Sequence, residues 1–263
     1  MNSNSLYVYG FVRGADIPEV GEAGLGQDGR ATRVFPVNAG RVAAMVSVYG
    51  SERRVLPLRR NLEPHHRVVS ELTRATTVVP VAFGHVVTGE KELKSFLRAN
   101  ADAICAELDR LQGKVEMGVR VRWDVENIFR HIVEGDPELA ASRDQVFAAG
   151  AKASPAEKLE LGRMFEERLQ AARATLTERV LESLSGAAAQ VRSNPPTTEE
   201  TVADLAFLVD RDAQERFEDR VGEMAALWPP EYVFQCTGPW APFNFVEAQL
   251  SAMGADEGRE QAC

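Results

Sequence analysis

The change of hydrophobic period at Gly113 constrains this chain more than any other feature. Upstream, Leu93, Leu97, Ala101, Ile104, Leu108 and Leu111 recur every three or four residues, the spacing of one helix face, and Gly113 supplies the stop. Downstream, in "KVEMGVRVRW", Val115, Met117, Val119, Val121 and Trp123 alternate with Glu116, Gly118, Arg120 and Arg122, the period of a strand with one buried face. At 263 residues the chain exceeds one ordinary compact domain. The pattern therefore predicts an N-terminal α+β domain over 1–113 and a second domain over 114–253. A polar tail, Gly254 to Cys263, is expected to be disordered.

The second half carries a readable order. A helix pattern runs from Pro155 to Leu184 along Leu161, Met164, Phe165, Leu169, Ala172, Leu176, Val180 and Leu184, with Arg163, Glu167, Arg173 and Glu178 assigned to the opposite face. "AAAQVRS" and "TVADLAFLVD" read as strands flanking Asn194-Pro195-Pro196. Asp210 is placed to cap a helix whose core face is Phe217, Val221, Met224 and Trp228, and "EYVFQCT" reads as a final strand. The order is β-α-β-β-α-β, that of a ferredoxin-like sandwich.

The first half opens with "SLYVYGFV", an apolar run suited to a strand buried on both faces. "TRVFPVNAGRVAAMVSVY" reads as a hairpin turning at Asn38-Ala39-Gly40. Leu62, Val68, Val69 and Leu72 mark a helix in which Pro64 is tolerable as a first-turn residue or a kink, and "TVVPVAFGHVV" returns to strand composition.

Catalytic chemistry is scarce. "GLGQDG" at Gly24 has the letters of a dinucleotide fingerprint, but no strand precedes it and a strand rather than a helix follows, so no helix N-terminus is offered to a pyrophosphate. His65 and His66 are adjacent and diverge by about 100° on a helix, which does not suit a shared metal. His85 reads as a polar residue at a strand end, His131 as one on a solvated helix face. Cys105 lies beside an apolar stripe as a buried, inert thiol, and Glu166-Glu167 and Glu199-Glu200 read as solvated charge. No metal, cofactor or catalytic centre is expected. Three cysteines, Cys105, Cys236 and Cys263, show no metal spacing and suit a reduced, cytoplasmic protein.

A formal net charge of −9, from 30 Lys+Arg against 39 Asp+Glu, argues against nucleic acid or an anionic membrane as the main partner. A local cluster at Arg53, Arg54, Arg59 and Arg60 softens that reading without reversing it. No run approaches the ~18 apolar residues of a spanning helix.

What does stand out is "CTGPWAPFNFVEAQL", in which Trp240, Phe243 and Phe245 sit among Pro239 and Pro242. Two prolines exclude a regular helix and a central strand, so the segment is expected to be a stiff strap. Trp240 and Phe243 are expected to pack back onto the protein, toward the first domain, fixing the angle between domains. Phe245 and the residues to Leu250 are expected to border a partner surface.

"LYVYGFV", "VVPVAFGHVV", "GKVEMGVRVRWD", "AFLVDR" and "TGPWAPFNFV" occur in this order along nearly the whole chain. Together they resemble the gas vesicle protein family GvpL/GvpF, with Ala82 where a basic residue is more usual and Phe243 where Tyr is common. The resemblance implies a two-domain accessory protein of gas vesicle formation, its second domain ferredoxin-like. It implies binding to the small, very apolar major shell protein, contact with other gas vesicle accessory proteins, and a place as a minor shell component. Two other readings are a small-molecule-binding regulator or enzyme on a ferredoxin-like scaffold, and an unrelated oligomeric scaffold. The first would require a closed cleft holding His85, His131 or buried carboxylates.

Overall fold

The protein is described from a computed structural model that covers residues 5–21, 24–27, 30–50 and 54–248. The expected tail at 254–263, Cys263, Leu250, Arg53 and the Asp28-Gly29 end of the glycine-rich stretch lie outside the described residues. The chain divides into two compact units, one formed by residues to Glu116 together with those from Pro239 onward, the other by Met117–Gly238. The strap, grouped by sequence with the second domain, thus clusters with the first unit.

The first unit is built on β1 (Leu6–Arg13), with β4 (Val34–Asn38) and β5 (Val42–Val48) to one side in the order β4-β5-β1. The hairpin turns where expected, the Asn38 side chain accepting from the Gly40 N–H at 2.8 Å. On the other side of β1, "TVVPVAFGHVV" is not one strand. β6 (Val79–Pro80) and β7 (Val86–Val87) pair separately with β1, and a turn lies between them. Pro80 lacks a donor, which ends the pairing there. Two further short strands, β2 (Gly24–Leu25) and β3 (Ala31–Thr32), pair with each other.

β1 is buried along almost its whole length because both faces are covered. Its register against β5 slips between Val8 and Gly10, a bulge that changes the phase of alternation. Tyr7, Tyr9 and Val12 then share one cluster with Val68, Val69 and Leu72 of α1 (Arg59–Ala75). Phe11 meets Phe96 of α2 (Glu90–Ala99) at 5.8 Å between ring centroids. Gly10 permits the close approach at the bulge: a Cβ there would lie 2.9 Å from the Val79 carbonyl oxygen and 2.6 Å from Val78 Cγ2. Pro64 stands past the first turn of α1, so the Arg60 carbonyl loses its helical donor.

The single helix expected over Leu93–Leu111 is two, α2 and α3 (Ala101–Leu111), separated at Asn100. The Asn100 amide donates to the Phe96 carbonyl at 2.8 Å, a local competitor of the helical bond. Gly113, at φ +69°, ends the segment in the left-handed region that glycine occupies without strain.

The second unit contains a sheet in the order β11-β8-β10-β9, from β8 (Lys114–Trp123), β9 (Gln190–Asn194), β10 (Thr201–Asp210) and β11 (Tyr232–Trp240). Between β8 and β9 the chain forms α4 (Ile128–Glu134), α5 (Pro137–Ala149) and the long α6 (Pro155–Leu184). Ser154 and Glu157 close a reciprocal capping box at the start of α6. Between β10 and β11 lies α7 (Gln214–Ala226). Val119, Val121 and Trp123 of β8, Leu205, Phe207 and Val209 of β10, and Leu169, Val180 and Phe217 from α6 and α7 make one core.

Two local expectations fail here. Asp210 makes no side-chain cap, since a short 3-10 turn over Arg211–Ala213 precedes α7. Arg173 is buried rather than solvated, because it follows Leu169 by one helical turn and shares its face. Its guanidinium donates to the carbonyls of Thr201 at 2.9 Å and Glu199 at 2.8 Å, so the charge is met by main-chain dipoles of the β9–β10 connection.

Candidate functional site: the C-terminal strap and its clasp

β11 carries its extended backbone through Pro239 and Trp240, as an outer strand can, since Pro239 has no donor to withhold from a central ladder. The strap then leaves the extended conformation. The Phe243 N–H donates to the Ala241 carbonyl at 2.8 Å and the Phe245 N–H to the Pro242 carbonyl at 3.1 Å, closing one 3-10 turn over Phe243–Phe245.

Three charged side chains of the first unit hold this turn by its polar groups. Glu116, 7 % exposed, accepts the Asn244 backbone N–H at 2.9 Å and the Asn244 side-chain amide at 2.7 Å. Glu107, also buried, accepts the Glu247 N–H at 2.8 Å. Arg110 bonds to both Glu107 oxygens and donates to the Phe245 carbonyl. Bonds to charged groups of this kind are stronger than neutral ones and direction-specific. Burial raises the Glu116 pKa, and the two Asn244 donors oppose that rise.

The burial of two of the aromatics is the reverse of that expected. Phe245 is fully buried, whereas Trp240 is 44 % exposed. Phe245 lies within the 3-10 turn that Arg110 and Glu116 hold, while Trp240 still stands on an outer strand. Phe243 is half-buried against the Tyr7–Tyr9–Val68 cluster, 6.3 Å from the His65 ring.

Beneath Phe243 lies a polar aromatic network that sequence reasoning missed. Tyr7 Oη lies 2.9 Å from His65 Nδ1, within hydrogen-bond distance, and accepts the Gly84 N–H at 3.0 Å. Burial, with smaller contributions from His66 and His85, lowers the His65 pKa to about 4. In parallel, Tyr9 Oη accepts the Leu25 N–H at 2.5 Å and meets Ser47 Oγ at 2.8 Å, while Ser47 donates to the Leu25 carbonyl at 2.8 Å. Burial raises both tyrosine pKa values. The network ties β1, the Gly24–Leu25 strand, α1 and the Phe83–Gly84 turn together. A usable signal existed, because His65 stands three residues before Val68 and four before Val69.

The arrangement suits structural chemistry. Gly24–Leu25 is a strand paired with Ala31–Thr32, with no helix to receive a pyrophosphate. His85 is exposed, His131 is half-buried on α4, and Cys105 is buried. The buried carboxylates Glu107 and Glu116 are committed to the strap. Among the described residues no three His, Cys, Asp or Glu side chains are grouped to hold a metal, and no helix is long and apolar enough to cross a membrane.

Known proteins of similar sequence and fold agree with one another. Gas vesicle protein F of Streptomyces sp. (strain CB03234) is 29 % identical over 245 residues, covering 92 % of this chain and 100 % of that protein. Gas vesicle protein F of Dolichospermum flosaquae is 26 % identical, over 92 % of this chain and 97 % of that one. The crystal structure of GvpF from Anabaena sp. PCC7120 superposes with a TM-score of 0.76 at 24 % identity, covering 95 % of this chain and 100 % of the other. That of GvpF from Microcystis aeruginosa gives 0.75 at 19 %, covering 93 % and 99 %. The sequence model of the family described as "Gas vesicle synthesis protein GvpL/GvpF" matches residues 5–247, β1 through the strap, and the chain belongs to that family.

Proposed function

We propose that the protein is a non-catalytic, cytoplasmic component of gas vesicle assembly that binds the major shell protein and supports nucleation or growth of the shell. In this reading Met117–Gly238 is a ferredoxin-like domain, a reading supported by the sheet order β11-β8-β10-β9 and by the long α6 before β9 and α7 before β11, with α4 and α5 as additions between β8 and α6. Shell monomers that must form a water-excluding wall expose apolar surface, and a carrier that covers it keeps them from aggregating. Other gas vesicle accessory proteins are further partners.

The observation that carries the reading is Trp240, 44 % exposed immediately before a turn pinned by Phe245, Glu116 and Arg110. A large aromatic held in place before binding loses little freedom on contact, which is how hot-spot residues gain affinity. The test is co-expression with the major shell protein followed by pull-down. Trp240→Ala should abolish most of the recovered shell protein while leaving this protein folded; full recovery would move the partner surface away from the strap.

A further inference from the structure

In a chain of net charge −9, the stretch from Arg54 to Arg74 holds five arginines against two glutamates, so the sign of the surface is reversed there. Within it, α1 buries Asn61, His65, Val68, Val69, Leu72 and Thr73 along one face. At 3.6 residues per turn, Arg60, Arg67 and Arg74 stand opposite that face, and all three are exposed. A seven-residue step drifts by only about 20°, so the three form one straight ridge. At a rise of about 1.5 Å per residue the ridge is about 21 Å long. Of the two acids, Glu63 pairs with Arg59 at 2.6 Å and Glu71 is half-buried.

The chain enters α1 through two leucines that water does not favour. Leu56 and Leu58 are 57 % and 41 % exposed, on either side of Pro57. They are nevertheless held in place: Val55 before them is buried in the core, and the Leu56 carbonyl accepts both the Asn61 side-chain amide at 2.9 Å and the Leu58 N–H at 2.8 Å. The first turn of α1 carries Arg59 and Arg60 and no acid, although the helix dipole favours acids there, and Leu58 offers no side-chain cap. Each of α2 to α7 has a capping side chain or an acid in its first turn. Local rules of stability are thus set aside at one helix start, and such exceptions concentrate where side chains serve contact.

We infer that the outer face of α1, together with Leu56 and Leu58, docks an acidic amphipathic helix of a partner protein. Carboxylates at seven-residue spacing on the partner meet Arg60, Arg67 and Arg74, as flanking charges do between paired helices, and apolar side chains at one end cover the two leucines. The held leucines supply the burial, and the arginines set register and orientation. Nucleic acid would gain little from exposed leucines and is repelled by the charge of the rest of the chain. None of these residues belongs to the strap, and the inference does not depend on what Trp240 binds.

The test uses the whole protein and a fluorescein-labelled helical peptide about three heptads long, with Glu at every seventh position and Leu in the terminal heptad, followed by anisotropy. Binding is expected, weakened about tenfold or more in the Arg60→Gln/Arg67→Gln/Arg74→Gln variant with its melting temperature unchanged, since all three side chains are exposed. Leu56→Ser/Leu58→Ser should also weaken it. The Arg60→Glu/Arg67→Glu/Arg74→Glu variant should lose the Glu peptide and accept its Lys counterpart. Equal binding by the glutamine variant, or equal binding of a peptide of the same composition with its glutamates out of register, would overturn the assignment. So would tighter binding of single-stranded RNA or of phosphatidylserine vesicles than of the peptide, by revealing a general polyanion surface.

Discussion

Glu116 grips Asn244 at two points, one carboxylate oxygen on the backbone N–H at 2.9 Å and the other on the side-chain amide at 2.7 Å. The two residues are far apart in sequence, and the pair is one of the contacts that hold the 3-10 turn of the strap, beside those of Arg110 and Glu107. Glu116 also occupies the strand position that alternation assigns to the polar face of β8. That face is covered at Glu116 by the chain's own C-terminal segment.

Removing the grip should loosen the strap. Glu116→Ala leaves the Asn244 N–H without an acceptor, at a cost of about 1–3 kcal/mol. Glu116→Gln keeps a carbonyl acceptor and removes a charge that burial already penalises, so it should cost less. Urea denaturation compares the two, and limited proteolysis should cut between Trp240 and Glu247 in the alanine variant first. Equal stability of wild type and Glu116→Ala would mean that Phe245, Arg110 and Glu107 retain the strap without it.

His65 gives a pH dependence whose sign follows from its lowered pKa. Between the ordinary value of 6.5 and about 4 the unfolded chain binds a proton at this residue and the folded chain does not. Stability contributed by neutral His65 is therefore complete above about pH 6.5 and is lost as pH falls toward 4, by as much as ~3 kcal/mol. Glu116, whose pKa is raised, works in the opposite direction, since protonation relieves a buried charge. Thermal melts across this range should show the loss in wild type and a shallower slope in His65→Gln.

Periodicity made much of the architecture legible: the switch at Gly113, the long α6 and the four strands of the second unit follow directly from the spacing of apolar residues. It failed where polar residues are buried for reasons that periodicity does not register. His65 and Arg173 fall on apolar helix faces by spacing, but their partners, Tyr7 and the carbonyls near Thr201, are distant in sequence. Asn100 split a helix whose apolar stripe runs through it unbroken. At the strap the burial of Trp240 and Phe245 is the reverse of that expected from the residue types. A single 3-10 turn, set by Pro242 and by the Glu116 contact, decided which aromatic points inward.

Gly10 should not tolerate a side chain. In Gly10→Ala the new methyl meets the Val79 carbonyl oxygen at 2.9 Å, a backbone atom that can retreat only by breaking the pairing of β6 with β1. A loss of about 1–3 kcal/mol is expected from such overpacking. Hydrogen exchange should localise it, with faster exchange at the Val81 N–H, which bonds to the Tyr9 carbonyl at 2.9 Å. Unchanged protection there would show that β6 moves without cost.

The exchanged burial of the two strap aromatics separates stability from binding. Phe245 is fully enclosed, so Phe245→Ala should cost about 3–5 kcal/mol, combining lost transfer free energy with an unfilled cavity. The backbone carbonyl that Arg110 holds remains in the variant, but without the ring to anchor it the strap should become protease-sensitive. Trp240 is 44 % exposed and loses far less contact on truncation, so Trp240→Ala should shift stability by no more than about 1 kcal/mol. If Trp240 is the residue presented to the major shell protein, the binding defect of Trp240→Ala should persist at temperatures where it is fully folded. The defect of Phe245→Ala should instead follow its loss of structure and be partly restored by Phe245→Leu, which refills the pocket. Thermal melts and shell-protein pull-down on the same three variants make the comparison. A Trp240→Ala protein as unstable as Phe245→Ala, or one that binds normally, would place the recognition surface elsewhere on the molecule.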